Sequence, residues 1–216
     1  MRRSTILISA TIGFAAIYVA ATAALGSPPD AGDSAATVTA WFRDHDSNVR
    51  TWMWLLTVSG PLFAAYAALV RAALPAPYRD VFFVGAVAFL AETAVQTWIW
   101  GALALHPGAV SEGTTQLTFD IASYWGPVLT STTVMMLAPV VLVALDGQFG
   151  WPKWLGAVAA VAVAEQLAET VTIFGKHGFI APGGPMNVDV GAAVTAVALI
   201  ALGLVAARRH VPVSQA

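Results

Sequence analysis

The sequence predicts an all-α fold, a polytopic membrane helical bundle of six transmembrane helices with both termini inside (N-in/C-in). Of its 216 residues, 58% are hydrophobic and only 10% are charged, and the mean hydropathy is +0.73. Soluble domains have roughly a quarter of their residues charged. The composition therefore excludes a soluble enzyme, a nucleic-acid-binding protein and a disordered chain, and predicts a single integral membrane domain over residues 1–216.

Six apolar segments are long enough to cross a bilayer, because a spanning helix needs about 20 mostly apolar residues. Segments rich in Pro, Gly and Asp separate them, as turns between helices require. We predict spans at residues 6–25, 51–70, 81–105, 121–145, 154–174 and 190–207.

The first span also has features of a secretory signal peptide. Arg2 and Arg3 precede an apolar stretch, and small residues follow at 21–24. The apolar run is, however, longer than the core of a typical signal peptide. We therefore expect this segment to be a retained helix.

The distribution of basic residues predicts the orientation, since cytoplasmic loops are enriched in Lys and Arg. With the N-terminus inside, seven basic residues lie on the inner side and three on the outer side, which supports cytoplasmic termini in the cell membrane. The inner residues are Arg2, Arg3, Arg71, Arg79, Lys153, Arg208 and Arg209, and the outer ones are Arg43, Arg50 and Lys176.

The longest segment outside the spans is the outer segment 27–50, which is too short for a separate soluble domain. Residues 34–48 within it are predicted to form a short interfacial helix. The chain has no Cys, which excludes disulfides, thiolate metal sites and iron–sulfur clusters. Its heavy use of Ala, Val and Gly is typical of bacterial proteins.

A short internal match indicates a duplicated hairpin. Leu-Ala-Glu-Thr at 90–93 in the third span recurs at 167–170 in the fifth, and Pro61 and Pro139 precede the two matches in corresponding hairpins. Spans two and three would then repeat as spans four and five in parallel orientation. Convergent hairpin composition explains the match equally well.

Three carboxylates lie inside predicted spans, namely Glu92, Glu165 and Glu169, whereas no Lys or Arg occupies the centre of any span. An ionised carboxylate in hydrocarbon costs several kcal/mol unless it is paired, solvated or protonated. Glu165 and Glu169 are four residues apart and should share one helix face. Intramembrane acids therefore predict a site for a proton, a cation or a small amine-bearing molecule. Structural hydrogen bonds between helices are the alternative.

Polar side chains on the neighbouring spans would complete an acid-lined intramembrane cavity open towards the outside. The candidate ligand- or proton-binding residues are Glu92, Thr93, Gln96, Tyr124, Thr133, Glu165, Glu169 and Thr170.

Three histidines form a second candidate site. His45, His106 and His177 all fall on the predicted outer side, as do Asp44 and Asp46, which flank His45. Imidazole and carboxylate suit zinc or copper, and His106 with His177 would suit a haem. Scattered interfacial histidines are the more common explanation.

The sequence leaves three function classes open, with no catalytic residue or cofactor assigned. The first is a protein that binds or transports a proton, cation or amine through the intramembrane acids. The second is a non-catalytic accessory subunit of a larger membrane complex, and the third is a membrane enzyme with a metal or haem at its outer face. The expected partners are the lipid bilayer and either a second copy or another membrane subunit, and no nucleic acid.

Overall fold

The computed structural model describes residues 3–209, which are helical with short connections. Arg2, from the predicted inner set of basic residues, lies outside this range. The α-helices are α1 (Arg3–Leu25), α2 (Ala35–Asp44), α3 (Asp46–Ala73), α4 (Tyr78–Leu105), α5 (Glu112–Ser123), α6 (Trp125–Asp146), α7 (Lys153–Glu169) and α8 (Ala192–Arg209). Two 3-10 turns (Thr170–Phe174 and Gly178–Ile180) and a π-helical turn (Met186–Gly191) connect α7 to α8.

Within residues 3–209, six helical segments are long and apolar enough to cross a membrane, which confirms the predicted multi-pass helical fold. They form a closed ring in the order α1, α3, α4, α6, α7 and α8, because α8 packs back against α1. Helices are suited to a bilayer because each one satisfies its own backbone hydrogen bonds. Contacts between neighbouring helices of the ring are then made by side chains.

On the predicted inner side of the membrane, apolar packing and small residues stabilise the contacts between the helices of the ring. Tyr66 on α3 is 1% exposed, and its hydroxyl donates a hydrogen bond to the Leu199 carbonyl oxygen on α8 at 2.8 Å. A Cβ at Gly203 would lie 2.9 Å from the Tyr66 ring. Gly203 therefore allows α8 to approach α3 closely, as small residues do between membrane helices.

The predicted outer end of the ring is covered by α2 and α5, which pack against each other. Ser34 caps α2 by accepting a hydrogen bond from the backbone N–H of Thr37 at 3.2 Å, as Ser does at many helix N-termini. Within the predicted segment 34–48, α2 covers Ala35–Asp44 and the residues from Asp46 onwards already belong to α3. The position of α2 at a membrane interface stays a prediction. Phe42, Trp100 and Phe119 join α2, α4 and α5 with ring centroids 5.6–6.0 Å apart.

The predicted fourth span, residues 121–145, lies within one apolar helical segment, Glu112–Asp146, which a turn divides into two helices. Ile121 belongs to α5, and the chain leaves that helix at Tyr124 before α6 starts at Trp125. The apolar residues that end α5 run directly into those of α6, so that hydropathy alone reads them as one segment. α5 was not predicted, because residues 112–123 mix polar and apolar side chains.

The two hairpins proposed as a repeat end differently. α4 continues for 13 residues beyond Glu92, whereas α7 changes into a 3-10 turn directly after Glu169. The duplication stays a hypothesis, and its two matched acids occupy different local structures.

The α4–α6 contact is close enough to test by substitution. A Cβ at Gly85 would lie 2.9 Å from the Thr132 carbonyl oxygen and 3.0 Å from the Met136 nitrogen. We expect Gly85→Ala to lower the free energy of unfolding by about 1–3 kcal/mol, since backbone atoms cannot move aside easily. Thermal unfolding in detergent measures this. Gly113→Ala is the control, because nothing lies within 4 Å of its added Cβ. Equal stability of the two variants would contradict the packing.

The predicted orientation can be tested with single cysteines, because the chain has none of its own. Ser47 at the start of α3 and Gln148 between α6 and α7 are both exposed. We expect a membrane-impermeant maleimide to label Ser47→Cys in intact cells and Gln148→Cys only after lysis. The opposite pattern would reverse the orientation.

Candidate functional site

Gln166 joins two of the three intramembrane acids. Its side-chain Nε2 donates hydrogen bonds to Glu165 Oε2 and to Glu169 Oε2, each at 3.0 Å. Glu165 and Glu169, which we predicted to share one helix face, therefore both contact the same side-chain amide. The other oxygen of each carboxyl, Oε1, is buried and meets no group among residues 3–209 in hydrogen-bond geometry, although the Asn187 side chain lies close to the Glu169 carboxyl.

Glu169 lies at a break in the helical structure. It is the last residue of α7, and its backbone carbonyl accepts a hydrogen bond from Thr172 Oγ1 in the 3-10 turn at 2.8 Å. The π-helical turn packs against this end of α7. Gly191, at the end of that turn, has its missing Cβ position occupied by the Glu169 carboxylate. Glycine is thus required for the carboxylate to lie against α8.

A cavity opens beside Glu169 between α1, α6 and α8. Its volume is about 40 Å³, and a water molecule needs roughly 10–15 Å³ on the same measure. The cavity therefore has room for a few water molecules or a small ion. Polar residues in its wall include Tyr18, Thr133, Gln166, Asn187 and Thr195.

A second cavity of about 60 Å³ lies towards the predicted outer side. The outer loops reach it through Pro28, Pro29 and Pro182. Tyr18 and Trp125 line both cavities and thus stand at the boundary between them. The two cavities lie on either side of Tyr18 and Trp125, in a line from the predicted outer loops to Glu169, and we call this line the path.

Buried polar atoms without partners concentrate along this path. In the part of the chain that the structure describes, nine buried side-chain N or O atoms lack a hydrogen bond, and native proteins leave few such atoms unexplained. Six of these atoms belong to residues that line the two cavities. They are Gln96 Oε1, Trp100 Nε1, Trp125 Nε1, Glu169 Oε1, Asn187 Nδ2 and Thr195 Oγ1.

Glu92 is separate from the other two acids. Its Oε2 accepts a hydrogen bond from Thr132 Oγ1 on α6 at 3.0 Å, whereas the next residue, Thr133, lines the Glu169 cavity. α6 thus lies between Glu92 and Glu169. The three predicted acids form a pair and a single site rather than one cluster.

The other predicted residues are divided among these spaces. Thr93 and Gln96 line the outer cavity, while Tyr124 lies on the outside of the bundle beside Glu92. Thr170 is exposed and its hydroxyl donates to the Leu167 carbonyl at 2.7 Å. Thr170 therefore points away from the Glu169 cavity despite being adjacent in sequence.

The predicted outer histidines do not assemble into a metal site in the described residues. No three His, Cys, Asp or Glu side chains within 3–209 are grouped as metal ligands. His45 stacks on Trp41 with ring centroids 5.0 Å apart, and its Nδ1 lies 3.0 Å from the Trp41 carbonyl oxygen. His106 and His177 are exposed at the ends of loops.

Three residues of the site were missed by the sequence analysis. Gln166 was overlooked although it lies between the paired acids, and Asn187 is hidden in the Pro- and Gly-rich connection to α8. Trp125 was not singled out either, yet its Nε1 is buried and without a partner in the described residues. A Cβ at Gly126 would lie 2.8 Å from Asn187 Cγ. This close approach of α6 to the π-helical turn depends on tertiary packing, and no pattern in the sequence predicts it.

No protein-family model matches the chain, and neither a curated protein nor a solved structure shows significant similarity to it.

The contact between Gly191 and Glu169 gives a test of the site's packing. We expect Gly191→Ala to lower the free energy of unfolding by about 1–3 kcal/mol, because the new Cβ overlaps a carboxylate held by Gln166. In a Glu169→Ala background the same change should cost much less. Thermal unfolding of the four proteins in one detergent measures the coupling. Equal losses in both backgrounds would show that the carboxylate does not limit this position.

Proposed function

We propose that the protein binds, and relays across the membrane, a proton or a small cation at the Glu165–Glu169 pair. The observation that carries the proposal is the shared amide of Gln166, which leaves a buried, unpartnered Oε1 on each carboxyl. Two carboxyls that share one site favour a common proton or a cation between them.

The charges around the pair support this proposal. In the described range, the ion pairs join Arg50, Arg71 and Arg79 to Asp46 or Asp80 at the ends of helices. None of them includes Glu165 or Glu169, the latter only 3% exposed. A bound proton or cation would offset the cost of two acids at this depth.

The size and course of the cavities favour a small ligand. Volumes of about 40 and 60 Å³ admit water and small ions but not a bulky substrate. Proton relays in membrane proteins commonly use carboxyls with water and polar side chains, and the unpartnered atoms of Trp125 and Asn187 would hydrogen-bond such water. Entry from the predicted outer side would pass Tyr18 and Trp125.

The helix breaks favour the same site. Irregular backbone at membrane depth is tolerated where it lines a cavity, and discontinuous helices mark ion sites in many transporters. Here α7 ends at Glu169 and a π-helical turn faces it. π-helical turns are also frequent at functional sites.

Ion flux tests the proposal. The protein would be reconstituted in phosphatidylcholine vesicles that contain a pH-sensitive dye, and an imposed potential would drive ions. We expect Glu169→Gln to lower the flux at least tenfold, corresponding to about 1.4 kcal/mol, because the amide cannot take up a proton or hold a cation. Glu92→Gln is the matched control and should keep the flux within about twofold.

Proton binding is measured independently by infrared spectroscopy. The carboxyl C=O band of the wild-type protein in nanodiscs should change with pH, and Glu169→Gln should remove that component. Wild-type flux and an unchanged band in Glu169→Gln would contradict the proposal. Absence of flux with a titrating band would restrict the function to binding.

A further inference from the structure

Glu92 lies in a groove on the outside of the bundle that the proposed function does not use. The groove runs between α4 and the α5–α6 junction and has a volume of about 290 Å³. We call it the Glu92 groove. Its lining residues include Glu92, Val95, Gln96, Ile99, Tyr124 and Val128.

The Glu92 groove is at the depth of the hydrocarbon. Glu92 follows the first residue of α4 by 14 positions and precedes the last by 13, which at 1.5 Å per residue places it about 20 Å from either end. Val95 is 50% exposed and Val128 is 51% exposed. Apolar side chains so exposed on a spanning helix face lipid, and the groove therefore opens to the bilayer.

The groove has an acid that the protein does not neutralise. Glu92 is only half-buried, its one hydrogen bond comes from Thr132, and no ion pair of the described residues includes it. A second polar group points to a ligand independently, because Gln96 is 7% exposed and its Oε1 has no partner. A carboxylate and a free amide oxygen are both acceptors.

We propose that the Glu92 groove binds a membrane-dissolved amphiphile with a primary amine. The ammonium would donate to the Glu92 carboxylate and to Gln96 Oε1, and the alkyl chain would lie along Val95 and Ile99. A charge-assisted hydrogen bond at this depth is among the stronger polar contacts. The proposal does not depend on the Glu165–Glu169 pair.

The groove is next to the interior of the bundle. Gln96 and Trp125 line both the Glu92 groove and the outer cavity, and Trp125 also lines the Glu169 cavity. A ligand in the groove would thus contact the residue at which all three spaces meet. The amphiphile is well placed to influence the ion path without entering it.

Photolabelling tests the site with a defined probe. The full-length protein in phosphatidylcholine nanodiscs would be labelled with dodecylamine that carries a diazirine in its alkyl chain, and the labelled peptides identified by mass spectrometry. We expect labels within residues 91–99 and 121–128. Unlabelled dodecylamine should compete, and dodecanol of equal chain length should not, since it lacks the positive charge.

Two variants make the result decisive. Glu92→Gln should reduce labelling at least tenfold, because it removes the charge of the acceptor. Val95→Trp should do the same by filling the groove while Glu92 and Thr132 stay intact, so the test survives poor folding of Glu92→Gln. Glu169→Gln should label as the wild type does, which separates this proposal from the proposed ion site. Equal competition by dodecanol, or full labelling of Val95→Trp, would overturn it.

Discussion

The arrangement of this protein depends on the cost of holding a carboxyl group in hydrocarbon. Three glutamates lie within its spans, and the ion pairs of residues 3–209 leave all three unpaired. Each acid must therefore obtain hydrogen bonds from neutral neighbours, since lipid offers none. The neighbours are Gln166 for Glu165 and Glu169, and Thr132 for Glu92. These neighbours leave buried Oε1 atoms of Glu165 and Glu169 without a hydrogen bond in the described residues, and the proposed ligands would bind at such atoms.

The helix α6 lies between Glu92 and the Glu165–Glu169 pair. Thr132 and Thr133 are adjacent in sequence but face different neighbours. Thr132 contacts Glu92, and Thr133 lines the Glu169 cavity. A helix turns by about 100° per residue, so consecutive side chains serve different neighbours. One helix thus keeps a bilayer-facing acid apart from an interior pair, and the two sites can differ in ligand while sharing a wall.

Much of the fold followed from the sequence, and less of the site did. Hydropathy located the six spans, and the predicted segment 34–48 contains α2, because both signals are local. The common face of Glu165 and Glu169 followed from their spacing. The separate position of Glu92 did not, because it depends on how α4 is rotated about its axis, which only packing decides. Asn187 likewise approaches Gly126 from 61 positions away in the sequence, and no local pattern encodes that contact.

The irregular backbone around Glu169 has a local and a tertiary cause. The residues that follow α7, Thr170–Phe174, are mostly β-branched and favour a helix only weakly, and the chain turns into 3-10 geometry directly after the acid. The Pro- and Gly-rich connection then leads into a π-helical turn that ends at Gly191. A regular helix with a side chain at 191 would occupy the space of the Glu169 carboxylate. The breaks thus make room for a buried acid beside a cavity.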